Sequence, residues 1–308
     1  MTYELYNNKT ILNFDEDKHL YTMNGIKVHG TTSILGVIAK PALMYWAVNQ
    51  AISHLEKCLV PGTSYDEIQL KAMLESAKTA HRKKSTDAAD KGKFVHEWCE
   101  SYIKGEDPKL PVNTELRNAV SKFLEWVNTN NVEFLETEKI VYSQKYNYAG
   151  TLDFIAKVNG KIMLGDFKTS TGIYDEYFFQ TSAYQQAYLE EYPDKKIEGN
   201  IIVRIGKDAT LELKESYDYE KNIKAFMGAL ALYNRIQELK DESYKKKEVV
   251  AMGLHNHQNH QCEHDDLRYC KHCDVAYCED CGKEWKSISY SYTLSTTPSW
   301  TTHRMHSH

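Results

Sequence analysis

Residues 134–168, FLETEKIVYSQKYNYAGTLDFIAKVNGKIMLGDFK, decide the fold. They divide into three segments rich in Ile, Val, Phe, Tyr and Leu, at 134–143, 148–158 and 161–168, each with strand length and composition. Asn159-Gly160 joins the last two as a tight hairpin, because both residues tolerate the positive φ that a two-residue turn requires. Alternation along the last strand puts Asp166 and Lys168 on one face and Phe167 on the other. Asp153 stands six residues before Asn159 and Asp166 six residues after Gly160, so antiparallel pairing sets the two carboxylates about opposite each other. Two acids so placed can share a cation, and carboxylate oxygens are hard ligands suited to Mg2+ or Mn2+. Such a cation lowers the pKa of a bound water and polarises a phosphoryl oxygen, while Lys168 can orient that water or neutralise charge developing on the phosphate. An Asp-x-Lys alone is usually an ordinary surface hairpin with paired charges, so the reading depends on what flanks it.

Upstream, Ser85-Thr86-Asp87 is a cluster of N-capping residues and predicts a helix from there to about Ile103, with Gly105 just past its end. His96 and Glu100, four residues apart on it, share a face. A neutral imidazole is a good further ligand, and Glu100 can orient His96 or reach the cation through water. Another helix is predicted over 113–129, with Leu116, Val120, Phe123, Leu124 and Val127 in one stripe. Downstream, a helix from about Tyr174 to Glu191 carries Gln180 and Tyr184 on one face, where an amide and a phenol can hydrogen-bond nucleic-acid phosphates or pack beside the lysine. A strand pair at 200–205 and 210–215 and a closing helix over 218–240 follow. At the N-terminus, residues 9–29 are strand-rich with Asn24-Gly25 as a hairpin signal, an apolar segment runs from Thr31-Thr32-Ser33 to Ile38, and Pro41 opens a helix through Met44, Trp46 and Ile52. Residues 65–84 are charged and helical in propensity. Helices, a strand meander and a helix on that sheet predict a layered α/β domain.

In order and content these segments resemble the RecB-like branch of the PD-(D/E)xK nuclease superfamily. That branch carries a Gly-x-x-x-His helix, a Gly-x-x-Asp strand, an Asp/Glu-x-Lys strand and a Gln-x-x-x-Tyr helix, matched here by Gly92/His96, Gly150/Asp153, Asp166/Lys168 and Gln180/Tyr184. The resemblance covers residues 85–190 and extends more loosely to the N-terminal segment through Trp46, which is similar to phage and mitochondrial exonucleases of the branch. It implies a restriction-endonuclease-like mixed central sheet flanked by helices, a divalent cation at the two acids, and DNA substrates, often with free ends. By the same resemblance His96, Asp153 and Asp166 are cation ligands, Lys168 is the catalytic lysine, and Gln180 and Tyr184 stand on the substrate side; Glu100 joins the catalytic group through the helix face it shares with His96. Leu152 precedes Asp153 where other members have proline, and no motif position is lost. The expected activity is that of a Mg2+-dependent DNA exonuclease of replication, recombination or repair, with a phage-encoded origin in keeping. The 22 tyrosines offer stacking surfaces for a single-stranded end. Two alternatives stay open: a non-catalytic nucleic-acid or partner-binding module with a zinc finger, and a structure-specific endonuclease or RNase.

The 308 residues, 42% hydrophobic and 26% charged, suffice for one large domain or two unequal ones with a sizeable core. No apolar run approaches the ~20 residues that span a bilayer. The N-terminal Met-Thr-Tyr-Glu-Leu-Tyr lacks a basic stretch followed by an apolar one, so a cytoplasmic location without a membrane partner is expected, the host cytoplasm for a phage protein. A net charge of −5 and a pI near 6.2 argue against a binder that works by bulk positive charge. DNA contact then falls to local patches such as His81-Arg82-Lys83-Lys84 and Lys245-Lys246-Lys247, which read equally as solvated helix faces.

Five of the seven cysteines lie between 262 and 281, a clustering that favours a metal site over disulfides in a chain without an export signal. Cys270-x2-Cys273-x4-Cys278-x2-Cys281 provides two thiolate pairs that complete a tetrahedral zinc site. Cys262 and His264 add a further pair of zinc ligands. An iron–sulfur cluster is the rival, since some relatives of the family carry one on a cysteine before the core and three after it, a role Cys58 could imitate. Composition shifts past Val250, giving a nuclease domain over 1–250 and a zinc-binding module with a polar tail over 251–308. With five basic and seven acidic residues, that module fits contact with a recombination or replication protein as well as with DNA.

Overall fold

A computed structural model describes residues 1–16, 18–206, 209–253, 267–270, 275–278 and 284–286. Two compact units divide at Arg235/Ile236. The first is a mixed α/β assembly, a central mixed sheet flanked by helices.

The three strands read from the deciding stretch form β5 (Glu133–Ser143), β6 (Tyr148–Val158) and β7 (Lys161–Lys168). Asn159 and Gly160 have φ of 48° and 88°, the left-handed pair that a two-residue turn demands. Val158 pairs directly with Lys161 across that turn, and the ladder runs to Phe154 opposite Gly165. The ring of Phe154 lies over Gly165: a Cβ built there would stand 1.8 Å from Cζ. Beyond that pair the strands stop exchanging ladder bonds. Asp153 Oδ2 instead accepts the backbone N–H of Phe167 at 2.7 Å, so a side chain replaces a strand carbonyl.

The N-terminal residues make an antiparallel meander of β1 (Thr2–Leu5), β2 (Thr10–Asp15), β3 (Leu20–Met23) and β4 (Ile26–Gly30). Asn24-Gly25 is its two-residue turn, with Met23 opposite Ile26. The end of β4 then pairs parallel with the start of β6, His29 with Tyr148 and Gly30 with Ala149. β5 occupies one edge of β6 from Tyr148 to Lys157. β4 and β7 must therefore share the other edge, one at each end, and on that edge they leave Gly150–Asp153 between them without a ladder partner. That fork in the sheet positions the site.

Seven residues after Thr31 opens the short helix α1 (Thr31–Leu35), the chain reaches Ile38; Pro41 then begins α2 (Pro41–Cys58) at a position where its missing N–H costs nothing. The next helix differs from expectation. Ser85-Thr86-Asp87 does not cap a new helix, because α3 runs unbroken from Glu67 to Ile103. Its cap is Asp66, whose carboxylate accepts the Gln69 N–H at 2.8 Å while the Gln69 amide oxygen accepts the Asp66 N–H at 3.0 Å. Inside the helix the Thr86 hydroxyl donates back to the Arg82 carbonyl at 3.1 Å, the mid-helix use of a residue that otherwise caps. α4 (Thr114–Thr129), capped by Asn113, packs on α3.

α5 (Glu176–Glu191) is the crossover that makes β7 and β8 (Gly199–Ile205) parallel neighbours, and β9 (Leu211–Ser216) closes the edge. α6 (Tyr219–Gly253) extends past the expected 240. On one sheet face Val95, Trp98, Phe123 and Trp126 of α3 and α4 pack on Phe154, Met163, Phe167 and Val203. On the other, Tyr184, Tyr188 and Phe226 of α5 and α6 pack on Tyr148, Leu152, Ile155 and Leu164. Each such fully buried side chain contributes about 1.5–3 kcal/mol. Leu152 and Ile155 join the same cluster although three residues apart, so alternation along β6 breaks between them, at Asp153. The register with β5 is continuous from Glu136 to Ser143, hence no residue is inserted. Opposite the break Glu138 adopts a φ of 46°, rare for a residue with a side chain.

The second unit contains an antiparallel sheet of β10 (Leu267–Cys270), β11 (Val275–Cys278) and β12 (Glu284–Lys286). Cys278 is buried. Cys262, His264, Cys273 and Cys281 lie outside the described residues, as does the side chain of Cys270. Among the described residues no helix is long and apolar enough to cross a membrane.

Candidate active site

The fork on β6 gathers the residues that the sequence singled out. Asp166 and Lys168 project from one face of β7 and form an ion pair, while Phe167 between them packs into the core on the opposite face. Asp166 is 1% exposed. Its Oδ2 has no hydrogen-bond partner beyond that ion pair. Burial pushes its pKa up to about 6 against the opposing charge of Lys168, and Asp153 adds to the rise. For Lys168, burial works against the charged form, but Asp166 and then Asp153 outweigh it and hold the ammonium protonated above its ordinary range. Its Nζ also lies 5.0 Å from the centre of the Tyr177 ring.

α3 brings His96 to Asp153, Nδ1 to Oδ2 at 3.5 Å, with the imidazole edge against Phe167. Glu100 does not orient His96: it forms an ion pair with Lys104, one turn further along α3. On α5, Gln180 Nε2 donates to the Tyr184 hydroxyl at 2.6 Å and to Thr32 Oγ1 at 3.3 Å. Tyr184 is buried, and its ring explains the glycine in the Gly-x-x-Asp strand, since a Cβ on Gly150 would stand 2.3 Å from Cε1 of the tyrosine. Burial, then the charge of Asp166, raises the Tyr184 phenol far above its usual range, so it stays neutral.

One acid escaped the sequence reading. Glu138, turned by its left-handed backbone, lines the same cavity as His96, Glu100 and Asp153. Burial, then Asp153 and Glu100, pushes its carboxyl up to about 8. In sequence Glu138 alternates with Glu136 along β5 and reads as a surface charge. Only its backbone conformation distinguishes it.

The cavity measures about 750 Å³. It is lined by His96, Glu100, Glu138 and Asp153 together with Tyr3, Phe14, His19 and Tyr21 of the N-terminal meander. Among the described residues no three His, Cys, Asp or Glu side chains already stand close enough to grip a metal ion. The donor set nonetheless suits a hard cation: crowded carboxylates, one imidazole, and a buried Asp166 oxygen that meets only the Lys168 ammonium. A cation would relieve the repulsion that Asp153 adds to the burial-driven rise of Glu138 and Asp166, with Asp166 exchanging part of its contact with Lys168.

No family model matches the chain, and no curated protein matches it. Among solved structures, a protein from Eubacterium rectale described as a putative exonuclease is 12% identical, with 49% of this chain and 68% of that one covered at a TM-score of 0.34. An alkaline exonuclease from Laribacter hongkongensis is 7% identical over 67% of this chain and 98% of that one, at a TM-score of 0.32. The same enzyme in complex with dAMP is 8% identical at a TM-score of 0.28, with the same coverage. Likenesses this loose leave the function to be read from the chemistry of the site itself.

Proposed function

We propose that this protein is a divalent-cation-dependent deoxyribonuclease that hydrolyses phosphodiester bonds from a DNA end. One observation carries the reading: the buried Asp166–Lys168 pair stands beside the Asp153–His96 pair where β4 and β7 part on β6. Asp153 and Asp166, with His96 and Glu138 completing the donor set, would hold Mg2+ or Mn2+, which polarises a phosphoryl oxygen and makes a bound water acidic. Lys168 keeps its proton at neutral pH and can hold the attacking water or neutralise charge on the phosphate. The Phe167 N–H holds Asp153 Oδ2, which His96 also approaches, and the other carboxylate oxygen is left for a cation. Gln180 and Tyr184 hold the start of α1 against the Gly150 strand, and the exposed part of Gln180 is available to a phosphate. The meander contributes to the lining of the cavity, and a chain end reaches such a concave site more readily than a continuous duplex does.

Such an activity belongs to replication, recombination or repair. The cysteine-rich module is read as a structural zinc site through Cys270, Cys273, Cys278 and Cys281, tested by metal content in native mass spectrometry. End-labelled single- and double-stranded DNA, incubated with Mg2+, with Mn2+ and with a chelator, tests the activity. Covalently closed circular DNA and RNA serve as controls. Cation-dependent release of nucleotides from linear DNA is expected; cutting of closed circles would make it an endonuclease, and cation-independent binding without cleavage would remove the enzyme reading.

A further inference from the structure

The N-terminal meander lends aromatic side chains to the cavity that the acids line, and no part of the hydrolysis uses them. Phe14 and Tyr21 are direct cross-strand partners on β2 and β3, their rings stacked at 4.6 Å between centroids and 22° between planes. His19 meets Phe14 edge-on at 5.2 Å and is exposed. Tyr21 is 2% exposed and sits in the small core beneath the meander, while Phe14 above it is half-buried and lines the cavity. The meander is fixed relative to the acids. The Tyr21 hydroxyl bonds Thr151 Oγ1 at 3.0 Å, two residues before Asp153, and β4 is laddered to the start of β6. The N-terminal amine of Met1 donates to the Phe14 carbonyl at 2.7 Å and pins the strand that carries the ring.

We propose that the Phe14–Tyr21 stack with His19 is a nucleobase subsite, on which the base of a nucleotide at the substrate's end stacks while its phosphodiester lies at the acids. The proposal rests on the nuclease reading and adds to it how the end is held. Charge supports a base in this place. Glu16 lines the cavity, and the two lysines that line it, Lys93 and Lys104, are paired with Glu97 and Glu100, so a neutral substrate part suits the place facing Phe14 better than a second phosphate. The cavity's volume falls in the range of small-molecule sites and accepts a nucleotide unit. Stacking on an aromatic face is indifferent to base identity, which suits an enzyme that degrades any sequence.

The test uses the full-length protein. An oligonucleotide with 2-aminopurine as its terminal base is titrated into the Asp166→Asn variant, and quenching reports stacking without cleavage. Phe14→Leu in that background is expected to lose the quenching and to bind on the order of 5- to 150-fold more weakly, with Phe14→Trp restoring both. His19→Ala, at an exposed position, provides a second variant should Phe14→Leu melt at lower temperature. In cleavage, the parent should prefer an intact end to an abasic one through KM, and Phe14→Leu should abolish that preference with kcat little changed. Equal quenching and an unchanged intact-to-abasic ratio in Phe14→Leu and His19→Ala would overturn the subsite while leaving the nuclease standing. Quenching by a parent that cuts no DNA with either cation would instead sink the nuclease reading and leave base binding in place.

Discussion

Replacing Glu138 by Gln should make the metal-free protein more stable at alkaline pH, the reverse of the usual outcome when an active-site acid is removed. Glu138 has its pKa raised from 4.5 to about 8, chiefly by burial and then by Asp153 and Glu100. Between those values the folded state keeps a proton that the unfolded chain has released. Stability therefore falls as pH rises through this window and is fully present only below it. The ceiling is about 3.5 pH units at 1.36 kcal/mol each, or ~5 kcal/mol. Glu138 retains partial access to solvent and can swing outward on ionising, which reduces the expected gain to about 2 kcal/mol. For a domain of this size that corresponds to a melting temperature roughly 4–8 °C higher for Glu138→Gln than for the parent at pH 8.5. At pH 5 the two should nearly coincide. Thermal melts in chelator from pH 5 to 9 provide the measurement. Parallel pH profiles for the two proteins would refute the account of a buried, crowded carboxyl. Added Mg2+ should then stabilise the parent more than the variant, since the cation relieves a repulsion that Gln no longer feels.

Asp166→Asn preserves side-chain volume and should leave the fold intact while lowering cation-dependent cleavage on the order of a thousandfold or more, measured on end-labelled DNA. Gly150→Ala drives a Cβ to 2.3 Å from the Tyr184 ring and should cost about 1–3 kcal/mol in denaturant unfolding. Much of that loss should vanish in a Tyr184→Ala background, and additive penalties would contradict the contact. Asp66→Ala removes the capping box of α3 and should cost about 1 kcal/mol, seen as faster amide exchange over residues 67–75 with cleavage unaffected.

Local signals carried much of the fold. The Asn-Gly turns and the alternating strands around them were legible because a two-residue hairpin leaves one register, and the helix expected over 113–129 was legible from its apolar stripe. Residues 85–87 misled, since Ser, Thr and Asp cap a helix only where the backbone already breaks, and no proline or glycine interrupts residues 63–91. β1 passed unnoticed because its four residues gain strand character only by pairing with β2. In the site, the facing of Asp166 and Lys168 followed from period two, and the approach of His96 to Asp153 from no local rule. Glu138 was hidden because its role depends on one backbone angle that tertiary packing imposes. The aromatic lining was hidden because Phe14 and Tyr21 share a cavity with Asp153 only once β4 joins β6.

The ring of Phe154 seated over Gly165 acts as a key in a lock cut for hydrogen. A slip of the hairpin by two residues, the smallest that keeps each side chain on its own face, would bring that ring against Met163 or Phe167 in place of the glycine. Neither leaves room for it. Asp153 and Asp166 are the next neighbours outward on the two strands, so their alignment is inherited from this fit and needs no attraction between like charges.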